Sequence, residues 1–383
     1  MSNNNHERLK IAFLGGAMNS AVGRAHFTAI NLDHRFELVA GCFSRNEQLN
    51  METAKQYGVH NDRVHLSLTE LVEKEKDDLN AIAILTPTDQ HAEQVLLCIN
   101  AGIPVICEKA LATTSQDAND IRVALEKNSG FLAVIYNYLG YPMIRELKSI
   151  IGKGFIGKPL HIQIEMPQES YRRVTANDKP IIPQDWRLHD GMISKISLDL
   201  GVHLHILIRY LTGEIPQSVI SLCSSSGNFP HVIDNVSCMI EYTGSMSCNM
   251  WFSKIAIGKK NGLKLGIYGE VGSAEWIQEN PENLYMADNK GHRWILDRGS
   301  DELKISNQKR YSRFKAGHPS GFLEAFANYY DDIASSLSLY SENQTNYLNE
   351  ECYGINEAIE GLSLMEAISR SSSTKKWERL PAP

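Results

Sequence analysis

Three residues of the chain have side chains and positions suited to acid–base and charge-stabilising chemistry: Lys109, Asp199 and His203. Asp199 and His203 lie four residues apart in an apolar segment, so a helix would place both on one face within reach of each other. Buried acid–histidine pairs concentrate at functional sites, although a purely structural hydrogen bond is the alternative. Lys109 follows Glu108 after an apolar run, where its charge could stabilise an alkoxide-like oxygen. A solvated surface lysine is the alternative there.

The segment around Asp199 carries further signals. Gly201 lowers the stability of a helix by ~1 kcal/mol, which predicts that another element packs closely against this turn. His205 faces another side of the helix and is predicted to be structural. The four-residue spacing would also suit two metal ligands, but no third ligand cluster such as HExxH accompanies it, so no metal site is predicted.

Glycines follow the first apolar strand and open the first helix, which is the context of a dinucleotide-binding turn. They are Gly15, Gly16 and Gly23, and Ala17 stands where the usual G-x-G-x-x-G pattern has its second glycine. Glycine lets the backbone approach a pyrophosphate, and the helix N-terminus offers N–H groups and a positive dipole. An ordinary tight turn is the alternative, but the alternation of strands and helices that follows favours a nicotinamide cofactor.

The end of the second strand bears on the choice between NAD and NADP. An acidic residue there would bind the ribose 2′-hydroxyl, whereas this sequence has Ser44 and Arg45, with no acid before Glu47. A hydroxyl beside a guanidinium suits a 2′-phosphate, because arginine forks onto phosphate oxygens. The sequence therefore favours NADP, with a solvated Arg45 as the alternative.

Strands alternate with helices along the first 140 residues, and these strands are apolar throughout. The predicted strands span 9–14, 36–43, 81–85, 104–107 and 131–136, and the predicted helices span 21–32, 47–57, 90–100 and 115–127. This pattern is typical of a parallel sheet covered on both faces. We therefore predict an α/β chain whose residues 1–140 form a Rossmann domain, a doubly wound parallel sheet with ligands at the carboxyl ends of its strands.

The pattern changes after about residue 141, where polar and apolar residues alternate as in half-exposed strands. The predicted strands span 160–166, 236–242, 245–252 and 263–268, with a hairpin turn at 242–245. Helices are predicted over 194–211, 321–337 and 355–370, loops over 224–229 and 289–300, and a polar tail over 370–376. Residues 141–383 are thus predicted to form a second, α+β domain with an antiparallel sheet packed on helices.

Composition excludes several classes of protein. Hydrophobic residues make up 43% and charged residues 22% of the 383 residues, which is typical of a globular protein. The net charge of -7 disfavours nucleic acid as a partner. No apolar stretch reaches ~18 residues and no signal peptide is visible, so no membrane partner is expected. The seven cysteines include no CxxC pair, which favours reduced thiols in a cytoplasmic protein.

These residues, in this order, resemble the Gfo/Idh/MocA oxidoreductases, the family of glucose–fructose oxidoreductase and inositol dehydrogenase. The resemblance spans nearly the whole chain, and the Glu108-Lys109 and Asp199-x-Gly201-x-His203 pieces together are fairly specific. The other matching pieces are Gly23-x-x-His26, Leu85-Thr86-Pro87 with His91, Asn137-Tyr138, Gly157-Lys158-Pro159, Trp186-Arg187, Tyr268-Gly269-Glu270-x-Gly272, and Gly317-His318-Pro319 before Phe322-x-Glu324-Ala325-Phe326.

The resemblance implies a hydride transfer between a nicotinamide cofactor and a hydroxyl or keto carbon of a sugar, cyclitol or nucleotide-sugar. It implies that His203 is the general base, that Asp199 orients it and binds a substrate hydroxyl, and that Lys109 contacts both nicotinamide and substrate. Residues implied to line the cofactor cleft are Thr86, Pro87, His91, Glu108 and Asn137. Residues implied for the substrate pocket are Tyr136, Trp186, Arg187 and His318. A large open, mainly antiparallel sheet and a homodimer or homotetramer are also implied.

The sequence departs from the family pattern at three places. Ala110 replaces the proline that usually follows the lysine, which puts the placement of Lys109 in question. Lys195 stands in a stretch that is usually glycine-rich, where it either reads an anionic group of the substrate or is solvated. Ala17 and the longer turn before Gly23 put the expected binding of the pyrophosphate in question.

Two other functions stay open at this stage. Some members of the family are glycosidases that use NAD for a transient oxidation, and these would release sugar without net cofactor turnover. Other relatives sense a nicotinamide cofactor and regulate transcription without catalysis. The presence of Lys109, Asp199 and His203 together argues against the second alternative, because a sensor need not keep them.

Overall fold

The computed structural model describes residues 8–342 and 347–381. Its strands, numbered along the chain, are β1 (Leu9–Gly15), β2 (Phe36–Cys42), β3 (Ala81–Leu85), β4 (Val105–Glu108), β5 (Leu132–Ile135), β6 (Pro159–Pro167), β7 (Pro216–Ser224), β8 (Asn235–Tyr242), β9 (Ser247–Ser253), β10 (Lys264–Gly269), β11 (Gly272–Ile277), β12 (Asn283–Asp288), β13 (Arg293–Asp297) and β14 (Glu378–Arg379). Its helices are α1 (Ala21–Leu32), α2 (Glu47–Tyr57), α3 (Leu68–Glu75), α4 (His91–Asn100), α5 (Ser115–Asn128), α6 (Pro142–Gly152), α7 (Val202–Thr212), α8 (Phe322–Ser341) and α9 (Ile355–Thr374).

The chain divides into two compact units. The first comprises Met1–Gly140 and Phe322–Ile359, and the second comprises Tyr141–Gly321 and Glu360–Pro383. The structure thus differs from the predicted second domain, 141–383, because α8 returns to pack on α1 in the first unit. The hydroxyl of Tyr329 in α8 also donates to the carbonyl of Val134 in β5 at 2.9 Å. The periodicity of a helix shows that one face is covered but not which sheet covers it.

The first unit contains the predicted doubly wound parallel sheet, with strand order β2-β1-β3-β4-β5. All neighbouring strands pair in parallel. Every residue of β3, β4 and β5 is buried, which explains why these strands have apolar sequences without alternation. The Rossmann prediction is confirmed, and the predicted element bounds agree to within two residues at each end.

The second unit is built on an open sheet of nine strands, in the order β13-β12-β11-β10-β6-β9-β8-β7-β14. Neighbouring strands are antiparallel except β6 and β9, which run parallel. Residues of β8 alternate between buried and exposed, and α6 and α7 lie against the sheet. The predicted large, mainly antiparallel sheet is confirmed, as is the hairpin that joins β8 to β9.

Some predictions for the second unit were wrong. The predicted loop over 289–300 contains β13, whose residues pair with β12 after a short turn. The predicted polar tail begins inside α9, which continues to Thr374. The predicted helix over 194–211 is two structures, since Ser197–Gly201 is a π-helical segment and α7 follows it. No helix of the described residues is long and apolar enough to cross a membrane.

Candidate functional site

The turn after β1 has the backbone geometry of a phosphate-binding loop. Gly15 and Gly16 have φ angles of 79° and 74°, a region that residues with a Cβ rarely adopt. A Cβ on Gly16 would lie 2.7 Å from Cδ1 of Leu85. Ser20 then begins α1 as its N-cap, and its side chain accepts from the N–H of Gly23 at 3.2 Å.

Gly23 brings the first turn of α1 against the loop. A Cβ at this position would lie 2.1 Å from the carbonyl oxygen of Gly16, so only glycine fits. Ala17 is 6% exposed, and its carbonyl accepts from the N–H of Ser20 at 2.7 Å. The turn is therefore tight and pre-formed in spite of its extra length, and it leaves the helix N-terminus available to an anion.

The end of β2 presents the pair considered for cofactor choice. The side chain of buried Asn50 fixes the backbone here by accepting from the N–H of Phe43 at 2.7 Å and of Ser44 at 3.3 Å. Ser44 is half-buried, and its hydroxyl accepts from the N–H of Asn46. Arg45 is exposed and forms no hydrogen bond or ion pair with any residue that the structure describes. Its guanidinium is consequently available to a ligand.

His91 joins the carboxyl end of β3 to the segment after β4. Its Nε2 lies 2.8 Å from the carbonyl oxygen of Thr86, and its Nδ1 lies 2.8 Å from that of Ala110. Two carbonyl contacts favour the imidazolium, but burial outweighs them and lowers the pKa of His91. Pro87 is half-buried and precedes a short 3-10 turn, Thr88–Gln90. This histidine therefore sets the spacing between the two strand ends.

Glu108, the last residue of β4, connects Lys109 to a buried network. One carboxylate oxygen lies 2.8 Å from Nε2 of His26, and the other accepts from the backbone N–H of Lys109 at 3.0 Å. Nδ1 of His26 lies 2.6 Å from the hydroxyl of Tyr330. Burial raises the pKa of Tyr330 well above its usual range, so the hydroxyl stays protonated and can donate to His26. Lys109 itself is half-buried, and its peptide bond to Ala110 is cis.

Asn137 has an unsatisfied amide at the carboxyl end of β5. The residue is 3% exposed, and its Nδ2 has no hydrogen-bond partner among the described residues. Buried amide groups almost always find a partner, so this donor points to a ligand. Tyr136 beside it is 3% exposed.

Asp199 in the second unit is held by two cations. Its Oδ2 lies 2.7 Å from Nζ of Lys254 and 2.9 Å from Nη1 of Arg187. Lys254 is 4% exposed and also lies 5.0 Å from the ring centroid of Tyr171. Burial raises the pKa of Tyr171 to about 12, and its hydroxyl donates to the carbonyl of Arg187 at 3.2 Å. The carboxylate is thus held in place by two charge-assisted hydrogen bonds.

His203 lies in the first turn of α7 and is 5% exposed. The predicted close packing at Gly201 is confirmed, since a Cβ there would lie 2.5 Å from Sδ of Met365. Asp199 belongs to the preceding π-helical segment, so the α-helical geometry assumed for the pair does not apply. His205 is 1% exposed and faces Glu360, with Nε2 and Oε1 3.2 Å apart.

The remaining candidates separate into two places. Trp186 lies with Arg187 in a short 3-10 segment, and the guanidinium carbon lies 4.3 Å from the indole centroid. His318 is exposed, follows Gly317 with its φ of 93°, and has its ring edge against Phe314. The side chain of His318 makes no hydrogen bond to a described residue, so nothing joins it to Asp199.

Two participants were missed in the sequence. Lys254 follows β9 and has no neighbouring motif, and its partner Asp199 is 55 residues away along the chain. His26 stands in the Gly23-x-x-His26 piece, but the sequence does not pair it with Glu108, which is 82 residues away. No group of three or more His, Cys, Asp or Glu residues able to hold a metal ion was found in the part of the chain that the structure describes.

Comparison with known proteins gives matches along both halves of the chain. The oxidoreductase family model with an NAD-binding Rossmann fold matches residues 9–136, and the Gfo/Idh/MocA C-terminal domain model matches residues 144–275. An uncharacterised oxidoreductase of Bacillus subtilis is 26% identical over 375 residues, 95% of each chain. A levoglucosan dehydrogenase of Pseudarthrobacter phenanthrenivorans is 24% identical over 314 residues, 73% of this chain and 76% of its own.

A solved structure extends this similarity. An inositol dehydrogenase homologue from Azotobacter vinelandii, complexed with NADH and myo-inositol, is similar with a TM-score of 0.88 and 25% identity, over 97% of each chain. Relatives named for NADP include a scyllo-inositol 2-dehydrogenase of Bacillus subtilis, 22% identical over 70% of this chain and 68% of its own. These matches confirm the family expected from the motifs: the chain belongs to the Gfo/Idh/MocA family of NAD(P)-dependent oxidoreductases.

Proposed function

We propose that this oxidoreductase is a dehydrogenase or reductase that acts on a CH–OH or keto carbon of a sugar or cyclitol. The observation that carries the proposal is the match to both family domains in a chain that keeps Lys109, Asp199 and His203. Relatives named for levoglucosan and inositol support a polyol substrate.

The residues of the first unit fit a dinucleotide. Gly15 and Gly16 hold a backbone that a Cβ would block, and the start of α1 lies beside them. The buried amide of Asn137 lacks a protein partner and suits a polar group of the cofactor. The bound nicotinamide would accept or donate the hydride.

His203 is proposed as the general base that takes the hydroxyl proton in the oxidation direction and returns it in the reduction direction. Its 5% exposure limits competition from water for that proton. Lys109 is proposed to hold its ammonium against the same oxygen, where negative charge develops. The bond from its N–H to Glu108 fixes the backbone from which its side chain extends.

Asp199 is proposed to bind a substrate hydroxyl and to orient His203. Lys254 and Arg187 both bind its carboxylate and hold it in place. An oriented acceptor can take a hydrogen bond from a polyol hydroxyl without first reorganising. Trp186 and Arg187 are proposed to complete the polyol site, and Tyr136 and His318 are further candidates for it.

NADP is proposed as the preferred cofactor. Arg45 is exposed and unpaired among the described residues, and the hydroxyl of Ser44 lies next to it in the chain, so both are available to a 2′-phosphate. Thr86, Pro87, His91 and Glu108 are proposed to shape the cofactor cleft through the backbone positions that they fix. A cytoplasmic homodimer or homotetramer is proposed as the working form.

The proposal is tested by fluorescence titration of the purified protein with NADH and NADPH, followed by a panel of polyols with the preferred cofactor. We expect tighter binding of NADPH and net formation of NADPH from NADP and one polyol. Release of sugar without net cofactor turnover would indicate a glycosidase instead. A sensor would be indicated by cofactor binding without turnover of any probe. In that case His203→Ala should leave the biological activity in cells unchanged.

A further inference from the structure

Two cationic side chains lie on the indole of Trp186. The guanidinium carbon of Arg187 is 4.3 Å from the ring centroid, and Nζ of Lys195 is 5.8 Å from it. Both distances lie in the range of cation–π contacts, which hold a cation on an aromatic face without neutralising its charge. We call Trp186, Arg187 and Lys195 the Trp186 cluster.

The nearby carboxylates form no ion pair with the ammonium of Lys195 in the described part of the chain. The carboxylate of Asp199 forms ion pairs with Arg187 and Lys254. Asp190 accepts from the backbone N–H of Lys195 with one oxygen and from that of Ile233 with the other, both at 2.7 Å. The ammonium of Lys195 forms no ion pair or hydrogen bond with any residue in the described part of the chain.

The other charges of this segment lie in solvent. The side chain of Asp185 is 93% exposed, and its carboxylate lies 3.8 Å from Nδ1 of His189, which is itself 70% exposed. Two cations, Arg187 and Lys195, therefore lie on the indole, and the carboxylate that Arg187 binds, Asp199, is shared with Lys254. Lys195 is half-buried, and half-buried charges are screened less than exposed ones, so its ammonium can attract an anion.

One nitrogen of the Arg187 guanidinium has no hydrogen-bond partner among the described residues. Its Nη1 binds Asp199, and its Nε lies 3.3 Å from Oε1 of Gln184. Its Nη2 has no partner among the described residues, and the next cation across the indole is Lys195. A guanidinium edge and an ammonium together make a site for a carboxylate or a phosphate group.

We propose that the Trp186 cluster binds an anionic substituent of the substrate, so that this oxidoreductase acts on an acidic polyol such as a sugar acid or a sugar phosphate. This inference rests on the proposed function, since it names the substrate class of the same site. The indole offers the apolar surface that packs on a sugar ring, while Arg187 and Lys195 select for the charge.

The experiment compares probes that differ in charge but share a ring. The pairs are D-glucuronate with D-glucuronamide, and D-glucose 6-phosphate with D-glucose. Each probe is measured with the NADP-loaded protein for kcat/KM and, with the NADPH-loaded protein, for binding by calorimetry. The variants are Lys195→Gln, which removes the charge, and Lys195→Arg, which keeps it, and thermal unfolding confirms that both are folded.

We expect at least one anionic probe to exceed its neutral partner by about tenfold or more, the size of one charge-assisted hydrogen bond. In Lys195→Gln the ratio of anionic to neutral kcat/KM should fall several-fold, and in Lys195→Arg it should return toward the wild-type value. An effect in the glucuronate pair would indicate a carboxylate ligand, and an effect in the glucose 6-phosphate pair would indicate a phosphate ligand.

The outcomes also separate this inference from the proposed function. If neutral probes are turned over and the ratio of anionic to neutral kcat/KM is near one, in the wild type and in Lys195→Gln, the inference is wrong. The proposed dehydrogenase activity would still be supported. Charge-dependent binding without turnover of any probe supports the inference and counts against the dehydrogenase. Absence of charge-dependent binding in both pairs rejects the Trp186 cluster as an anion site.

Discussion

Nζ of Lys254 lies 2.7 Å from the carboxylate of Asp199, and the lysine is 4% exposed. A lysine is rarely buried to this extent unless its charge is paired. The same carboxylate binds Arg187, so its position is fixed from two sides. This shared ion pair explains how Asp199, four residues before His203, keeps a fixed orientation.

The first prediction concerns this pair. Lys254→Met removes one of the two cations, and we expect kcat/KM to fall about tenfold or more because Asp199 loses its fixed position. Lys260→Met is the matched control, since Lys260 is exposed and pairs with Glu169 on the surface. Steady-state kinetics with the best polyol measures both. Equal kinetics for the two variants would show that Lys254 has no role in the site.

The second prediction concerns the network behind Lys109. His26→Asn breaks two contacts and leaves the carboxylate of Glu108 without its buried partner. We expect the free energy of unfolding to fall by about 1–3 kcal/mol and kcat to fall with it, because Glu108 also holds the N–H of Lys109. Tyr330→Phe removes only the hydroxyl that contacts His26, so it should lower the free energy of unfolding by a smaller amount. Urea denaturation gives the free energy of unfolding of both variants. If His26→Asn changes neither this free energy nor kcat, His26 does not position Glu108 and Lys109.

The positions of these partners explain what the sequence could and could not predict. Apolar strands and helix periodicity are local, so the Rossmann sheet and its bounds followed from the sequence. Lys254 lies 55 residues from its partner Asp199, and His26 lies 82 residues from its partner Glu108, so no local pattern connects them. The short edge strand β13 has no buried residue, so no buried face marks it in the sequence.

The geometry of the segment before His203 was also beyond local reasoning. Periodicity predicts an α-helix throughout, but Ser197–Gly201 has π-helical hydrogen bonding. This segment packs closely on α9, since a Cβ on Gly201 would lie 2.5 Å from Sδ of Met365. Spacing alone therefore selects candidate residues but does not predict their relative geometry.

The third prediction concerns the cofactor turn. In Gly23→Ala the new methyl group would lie 2.1 Å from the carbonyl oxygen of Gly16, so the loop must shift. We expect the Kd for NADPH to rise at least about tenfold, measured by fluorescence titration. Gly152→Ala is the control, because nothing lies within 4 Å of its Cβ position. Unchanged affinity in Gly23→Ala would show that this turn does not hold the cofactor.

The fourth prediction concerns pH. Burial lowers the pKa of His91 in the folded state, so the unfolded chain binds the proton first as the pH falls. His91 thus contributes stability that is present above about pH 6.5 and is lost as the pH falls toward its lower folded-state pKa. We expect the free energy of unfolding to depend less on pH below about 6.5 in His91→Asn. Identical slopes for the wild type and the variant would exclude His91 as the source.

The central claim is that His203 exchanges a proton with the substrate while the cofactor exchanges a hydride. The most direct measurement is kcat of His203→Asn beside the Kd of the same variant for NADPH. We predict that kcat falls by about 100-fold or more while the Kd stays close to that of the wild type. A variant that forms NADPH at the wild-type rate would contradict the account.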